Sequence, residues 1–432
     1  MRKLVLTLTA SYALLASCSV QKKIAKRAGE DILNQQPVAG AHIGIGLYDL
    51  SANKYLYSYQ SDKYFIPASN TKLFTCYAAM KYLGDSLPGV KVLETADNIT
   101  LFPTGDPTFI HNDFVSHPVF EYIKNTGKPL LWNDKGWREK GWGFGWAWDD
   151  YESDYMAERS AFPIHGNVLD ISGTKASVKI YPSLPVEINN VASKVPGGFV
   201  NDAGRKRDSN VFDLHFDGKA NKIISVPFVT NNNREILASV TGKKIEQATA
   251  ATPSAALLKT IHSQPTDSML RYMMYRSDNF YAEQSLLMLS NEKLGFISDA
   301  AIIDTLLKTD YKDLPQRPKW VDGSGLSRYN LITPQDFITV LKKMKADIDW
   351  KRITTILPTG GTGTLSGYYQ KIAGRIFAKT GTLSNNVSLS GFLLTKKDHT
   401  ILFSVMVNNH MGSAPAIRRL VERFLMEIYE KY

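Results

Sequence analysis

Pro67-Ala68-Ser69-Asn70-Thr71-Lys72-Leu73-Phe74-Thr75 sets a serine and a lysine three residues apart at the head of a run with helical spacing. Leu73, Cys76, Tyr77, Met80 and Leu83 recur on one side, so the run reads as an amphipathic helix with Gly84 as its stop. At i and i+3 the Ser69 and Lys72 side chains share a face and come within reach of each other. A helix start also offers free N–H groups and a partial positive charge. Alone, the tetrad means little, because S-x-x-K also begins at Ser19, Ser51, Ser172 and Ser290. The Ser69 copy is the one that opens a helix behind a proline. Even there, a plain N-cap would account for the serine.

Outward from this helix the chain changes character twice. Upstream, Ala41 to Asp49 and Tyr55 to Tyr59 read as a strand pair around the turn Ser51-Ala52-Asn53-Lys54. Downstream, from about Val90 to Pro265, come many turns and short β-like runs. Trp132, Trp137, Trp142, Trp146 and Trp148 are interleaved there with glycine. Such crowding can bind sugars, but it more often fills the core of a small β-rich domain, which is the reading adopted. From Thr266 helices return: Ser268 to Tyr275 and Phe280 to Leu289 flank Ser277-Asp278-Asn279. Arg375 to Ala378, Val387 to Leu394 and Thr400 to Val407 read as strands. In the final helix Ile417, Leu420, Val421, Phe424, Leu425 and Ile428 form one apolar stripe. The two ends are expected to build one layered domain, 18–90 with 265–432, around a β-rich insertion over 91–264.

The 432 residues suffice for two or three domains, and 44% are hydrophobic, as in an ordinary globular protein. Arg2 and Lys3 precede the apolar stretch Leu4 to Ala16, which reads as a signal peptide over 1–17. Leu15-Ala16-Ser17-Cys18 resembles a lipobox, implying lipid on Cys18; an ordinary secretory cleavage near Ser17 is the alternative. Lipidation would leave Cys76 as a lone thiol, read as buried and structural. Net charge is +10. Lys22, Lys23, Lys26 and Arg27 could sit near anionic headgroups or simply solvate a linker. No nucleic-acid motif is present, and export argues against such a partner. Eight His lack H-E-x-x-H or similar spacing, so no metal is expected, and Gly360 to Gly367 lacks the G-K-[ST] of a phosphate loop. No cofactor is called for.

Two further motifs give Ser69 its context. Ser277-Asp278-Asn279 is the one S-D-N in the chain and Lys379-Thr380-Gly381 the one K-T-G. With the S-x-x-K tetrad they make the signature of β-lactamases and penicillin-binding proteins, here in the expected order. PASNTKLFT, RSDNFYAEQ, VDGSGLSRYNLITP, LPTGGTGTL and FAKTGTLSNNVSLSGF resemble the D-alanyl-D-alanine carboxypeptidase/endopeptidase family of the penicillin-binding protein 4 type. TGDPTF and GWAWDD resemble segments of that family's inserted domains. The long separation of Ser69 from Ser277 also matches, whereas Val226 to Ile245 looks short and Asn-rich beside the family pattern.

The resemblance implies an α+β fold, an antiparallel sheet with helices on both faces, split by the insertion. It implies hydrolysis of D-Ala-D-Ala-type bonds or cross-links in peptidoglycan peptides through acyl-Ser69, with β-lactams as covalent inhibitors. A β-lactamase of the same superfamily and a catalytically silent peptidoglycan-binding envelope protein are the alternatives. Serine needs a base, and Lys72 serves only when neutral, so burial and nearby positive charge, Lys379 being a candidate, must lower its pKa. By resemblance Ser277 relays a proton, Asn279 holds the substrate amide and orients Lys72, and Lys379, Thr380, Gly381 and Thr382 meet the terminal carboxylate. Backbone N–H groups of Ser69 and Thr382 would hold the oxyanion. Asp149 and Asp150 are read either as surface charges or as a pair facing a substrate ammonium.

Overall fold

The computed structural model describes residues 20–190, 197–249 and 254–432. The leader and Cys18 lie outside them. A first helix, α1 (20–28), ends in a π turn at Gly29–Leu33 and leads into β1 (His42–Asp49) and β2 (Lys54–Tyr59). A 3₁₀ turn, Ala68–Thr71, opens directly into α2 (Lys72–Tyr82).

Between α2 and the return of helices the described residues form eleven strands: β3 (Ser86–Glu94), β4 (Ile99–Pro103), β5 (Leu130–Trp132), β6 (Val168–Thr174), β7 (Ser177–Tyr181), β8 (Glu187–Asn190), β9 (Asp202–Arg205), β10 (Val211–His215), β11 (Ile224–Pro227), β12 (Ile245–Gln247) and β13 (Lys259–Pro265). Two helices, α3 (Pro118–Asn125) and α4 (Asn233–Thr241), join them. Then follow α5 (Thr266–Tyr275), α6 (Asn279–Leu294), α7 (Asp299–Lys308), α8 (Pro334–Asp347) and α9 (Trp350–Ile356). The chain closes with β14 (Ile376–Leu383), β15 (Asn386–Leu394), β16 (Thr400–Asn408) and α10 (Ala414–Lys431).

One antiparallel sheet, in the order β14-β15-β16-β1-β2, unites the two ends of the chain. Burial is nearly continuous along β1, β14, β15 and β16, because both faces of the sheet are covered. Phe403, Val405 and Val407 of β16 pack with Ile24 of α1 and with Ile417, Leu420 and Phe424 of α10. Leu402 and Met406 point the other way, into a core with Leu73, Phe74 and Tyr77 of α2, Leu286 of α6 and Phe337 of α8. The expected α+β fold with helices on both faces is what forms.

Two local expectations change. The α2 segment is not amphipathic: Lys72 through Met80 are all buried, as befits a helix enclosed by α5, α6 and α8. β14 runs five residues past the apolar run that suggested it, so Lys379-Thr380-Gly381 lies inside the strand and pairs with β15.

The described residues of the intervening segment form three sheets: β12-β5-β4-β3-β13, β11-β6-β7 and β8-β10-β9. Its first and last strands are neighbours, with Ser86 opposite Pro265, so the chain leaves and re-enters at one place. The core reading holds for Trp132, which is 1% exposed. It fails for Trp148, which is 69% exposed. Trp142 and Trp146 are only half-buried, and the indole N–H of Trp146 leaves its own unit to donate to Asp322 at 3.1 Å. A polar ring edge lets a tryptophan join two units where a purely apolar side chain could only fill one.

Candidate active site

Ser69 sits in a turn held from three directions. Ser388 Oγ donates to the Pro67 carbonyl at 2.7 Å, and Asn70 Nδ2 donates to Ser390 Oγ at 2.7 Å, so β15 fixes the turn from below. Thr71 Oγ1 donates to the Ala68 carbonyl at 2.9 Å. Ala68, just before the serine, has φ +48°, a left-handed conformation that costs a non-glycine residue energy. Ser277, on the opposite wall, has φ +63°. Both outliers flank the same cleft.

Lys72 Nζ lies beneath Ser69, with no exposed surface. It donates to Ser69 Oγ at 2.9 Å, to Asn279 Oδ1 at 2.7 Å and to the Ser324 carbonyl at 2.8 Å. An ammonium has three hydrogens, and all three are used. Burial lowers the Lys72 pKa to about 8, against the upward pull of the Asp322, Glu283 and Asp278 carboxylates. Burial, one of the two expected causes, is the main one at Lys72, and Lys379 is not among the causes there. The mutual repulsion is felt at Lys379, whose pKa is held well down by burial, by Lys72 and by Arg418.

Lys379 Nζ donates to Ser277 Oγ at 2.9 Å and to the Thr380 carbonyl at 2.7 Å. Lys379, Thr380 and Gly381 are buried, whereas Thr382 is exposed and lines the cleft. Lys379 thus reaches Ser277 from beneath rather than standing open to a ligand. Gly381 is a steric requirement: a Cβ there would come within 2.2 Å of Ser388 Oγ and 2.6 Å of the Pro67 carbonyl. Without that glycine β14 could not lie against the Ser69 turn. Asn279 uses its carbonyl on Lys72 and its amide on the Tyr155 carbonyl at 3.0 Å.

Sequence reasoning missed the floor of the site. Asp322, fully buried, accepts from Gly325 N at 2.8 Å, Ser327 N at 2.6 Å, Asn330 Nδ2 at 2.7 Å and Trp146 Nε1. It ties the 321–330 loop into a shape whose Ser324 carbonyl meets Lys72. Glu283 accepts the Ser324 N–H at 2.7 Å and faces Arg159 at 3.5 Å; burial and Asp322 push its pKa up to about 7. One signal was available: Glu283 lies one turn after Asn279 on the same helix.

The cleft above measures about 480 Å³ and is lined by Ser69, Ser277, Asn279, Thr382, Arg328 and, from the intervening segment, Asp149, Asp150 and Tyr155. Asp150 accepts from the Tyr155 hydroxyl at 2.8 Å. Asp149 is exposed. The structure therefore brings Ser69, Lys72, Ser277, Asn279, Thr382, Asp149 and Asp150 to one place, with Lys379 below. Cys76 is buried in α2, away from the cleft lining, and burial pushes its thiol up to about 12.

A serine hydrogen-bonded to a buried lysine, on a helix packed beneath a five-stranded antiparallel sheet, defines the penicillin-binding class of serine hydrolases. Residues 25–195 and 236–427 match the model of the D-Ala-D-Ala carboxypeptidase 3 (S13) family, and the chain belongs to that family. The unmatched 196–235 overlaps the first part of the Asn-rich stretch that departs from the family pattern. The D-alanyl-D-alanine carboxypeptidase DacB of Haemophilus influenzae is 22% identical, with 95% of this chain and 94% of that protein covered. The D-alanyl-D-alanine carboxypeptidase of Actinomadura sp. strain R39 is 25% identical over 95% of this chain and 86% of its own length. The crystal structure of Haemophilus influenzae penicillin binding protein 4 superposes with a TM-score of 0.72 at 18% identity, covering 94% of this chain and 99% of that one.

Proposed function

We propose that the protein hydrolyses D-Ala-D-Ala-type bonds of peptidoglycan peptides through an ester on Ser69 Oγ, with Lys72 as the base. The observation that carries this reading is the 2.9 Å contact between Lys72 Nζ and Ser69 Oγ on a buried floor where each ammonium hydrogen has an acceptor. Neutral Lys72 takes the Ser69 proton as the oxygen attacks the penultimate D-Ala carbonyl. Ser277 passes a proton to the departing amine, and Asn279 holds Lys72 in place. Backbone N–H groups of Ser69 and Thr382 receive the oxyanion. Water then attacks the ester and frees Ser69. A β-lactam enters the same path, and its ring-opened product stays attached. Haemophilus influenzae penicillin binding protein 4 has itself been solved with a β-lactam.

Benzylpenicillin is expected to add its mass once, on the peptide containing Ser69, and Ser69→Ala to abolish the label. A folded wild type that takes no label, turns over no β-lactam and cuts no D-Ala-D-Ala peptide would overturn the reading. Digestion of purified muropeptides, followed by mass spectrometry, separates carboxypeptidase from endopeptidase products.

Export and anchoring form part of the proposal. The leader over 1–17 directs the chain to the cell envelope, and lipid on Cys18 holds it to a membrane. Cys18→Ala is expected to release the protein from the membrane fraction and abolish lipid labelling. Unchanged fractionation with a different mature N-terminus would remove the lipoprotein claim.

A further inference from the structure

A substrate ending in a free carboxylate needs a cation at its far end, and Lys379 is poorly placed to be that cation. Its ammonium is buried and directs two of its three hydrogens to Ser277 Oγ and the Thr380 carbonyl. Arg418 stands behind the cleft wall and reaches it through Thr382. It lies in α10, whose start is set by the Ser413 cap, with the Ala416 N–H donating to Ser413 Oγ, and whose register is locked by buried Ile417 and Leu420 on either side. From there the guanidinium reaches the end of β14, and Nη2 donates to Thr382 Oγ1 at 2.6 Å. Its neighbours are neutralised: Arg419 pairs with Glu422, and Arg423 with Asp31. Arg418 has no carboxylate partner among the described residues, and its Nε is buried without any partner.

An unpaired, partly buried guanidinium is costly unless an anion joins it. Thr382 shows where the anion would sit. A threonine hydroxyl has one hydrogen, and an oxygen that accepts from arginine must send that hydrogen elsewhere. Thr382 lines the cleft, so its hydroxyl hydrogen is free to point into the space above Ser69 as a donor. Arginine also keeps its charge at any working pH, whereas burial works against charge on Lys379.

We propose that Arg418 is a specificity-determining residue of this site, presetting the Thr382 hydroxyl and supplying the fixed positive charge that selects a free terminal carboxylate. The proposal rests on the acyl-Ser69 reading. Arg328 is the competing cation, since it lines the cleft directly, whereas Arg418 reaches it through Thr382; Arg328 Nη1 donates to the Ser384 carbonyl.

The test compares a peptide ending in D-Ala-D-Ala with its C-terminal amide, for wild type, R418Q, R418K and R328A, alongside thermal unfolding. R418Q is expected to raise KM for the carboxylate peptide roughly 10- to 100-fold, the range for a charged hydrogen bond, with kcat much less affected. The amide peptide should change little, and R418K should restore part of the discrimination. Benzylpenicillin, which carries a carboxylate, should acylate R418Q more slowly by a similar factor. Equal losses on both peptides, or a carboxylate-selective loss in R328A but not in R418Q, would overturn the proposal. Wild type inert toward both peptides and penicillin would instead overturn the acyl-Ser69 reading beneath it.

Discussion

Lys72 spends all its ammonium hydrogens on fixed acceptors, so it can act as a base only after losing one. Its pKa is lowered to about 8, and the neutral form grows as pH rises through that value. The rate of benzylpenicillin acylation is therefore expected to climb with a limb near pH 8 and level off above it. Lys72→Ala should slow acylation by about 10²–10⁴ with the fold retained; stopped-flow or quenched mass spectrometry measures both. Asp322 supplies part of the upward pull on Lys72. Asp322→Asn should thus move the limb to lower pH, and should cost about 1–3 kcal/mol of stability by thermal melt, because buried N–H donors lose acceptors. The motif residues were legible in the sequence because S-D-N and K-T-G each occur once. Asp322 and Glu283 were not. A carboxylate in a glycine-rich loop or on a helix reads as solvated, and only Trp146 and Arg159, from far away in sequence, make these two internal.

At the scale of elements, the site depends on how closely a strand and a turn approach each other. β14 passes over Pro67 to Asn70 at a distance that leaves no space for a methyl group on Gly381. Gly381→Ala is expected to cost about 1–3 kcal/mol, the usual range for overpacking. It should depress penicillin acylation further than the melting temperature suggests, since the displaced parts carry Ser69 and Thr382. Wild-type acylation in a well-folded Gly381→Ala protein would show that the approach is not tight. The helix-turn-strand plan was readable from periodicity at both ends of the chain, including the Gly84 stop, which has φ +69°. What periodicity misjudged were elements whose neighbours override it. α2 is enclosed all round, and β14 is extended by its pairing with β15 through polar residues that carry no apolar signal.

At the scale of the molecule, the wall of the serine's cleft is built from stretches of chain far apart in sequence. Asp149, Asp150 and Tyr155 come from the segment between β3 and β13, yet they line the cleft above Ser69. Asp150 is engaged by the Tyr155 hydroxyl, whereas the Asp149 carboxylate stands exposed. Asp149→Asn should therefore lower kcat/KM for peptides with a free side-chain amine by about 1–3 kcal/mol, more than for acylated analogues and more than Asp150→Asn. Equal loss on both peptide types would assign the pair a structural role. The middle of the chain was the least legible part: its short strands form three sheets that include parallel pairs, which local alternation does not report. The sheet that joins the chain ends has a temporal meaning as well. β1 is made among the first strands, but its inner neighbour is β16, with His42 opposite Asn408. A chain emerging from a ribosome or a translocon can complete the unit between Ser86 and Pro265 early, because both its closing strands are already out. The serine, its lysine and the 379–382 strand come together only when the last strands arrive. A partly emerged chain thus holds the nucleophile without its strand partner, and its chemistry waits until β14, β15 and β16 have followed.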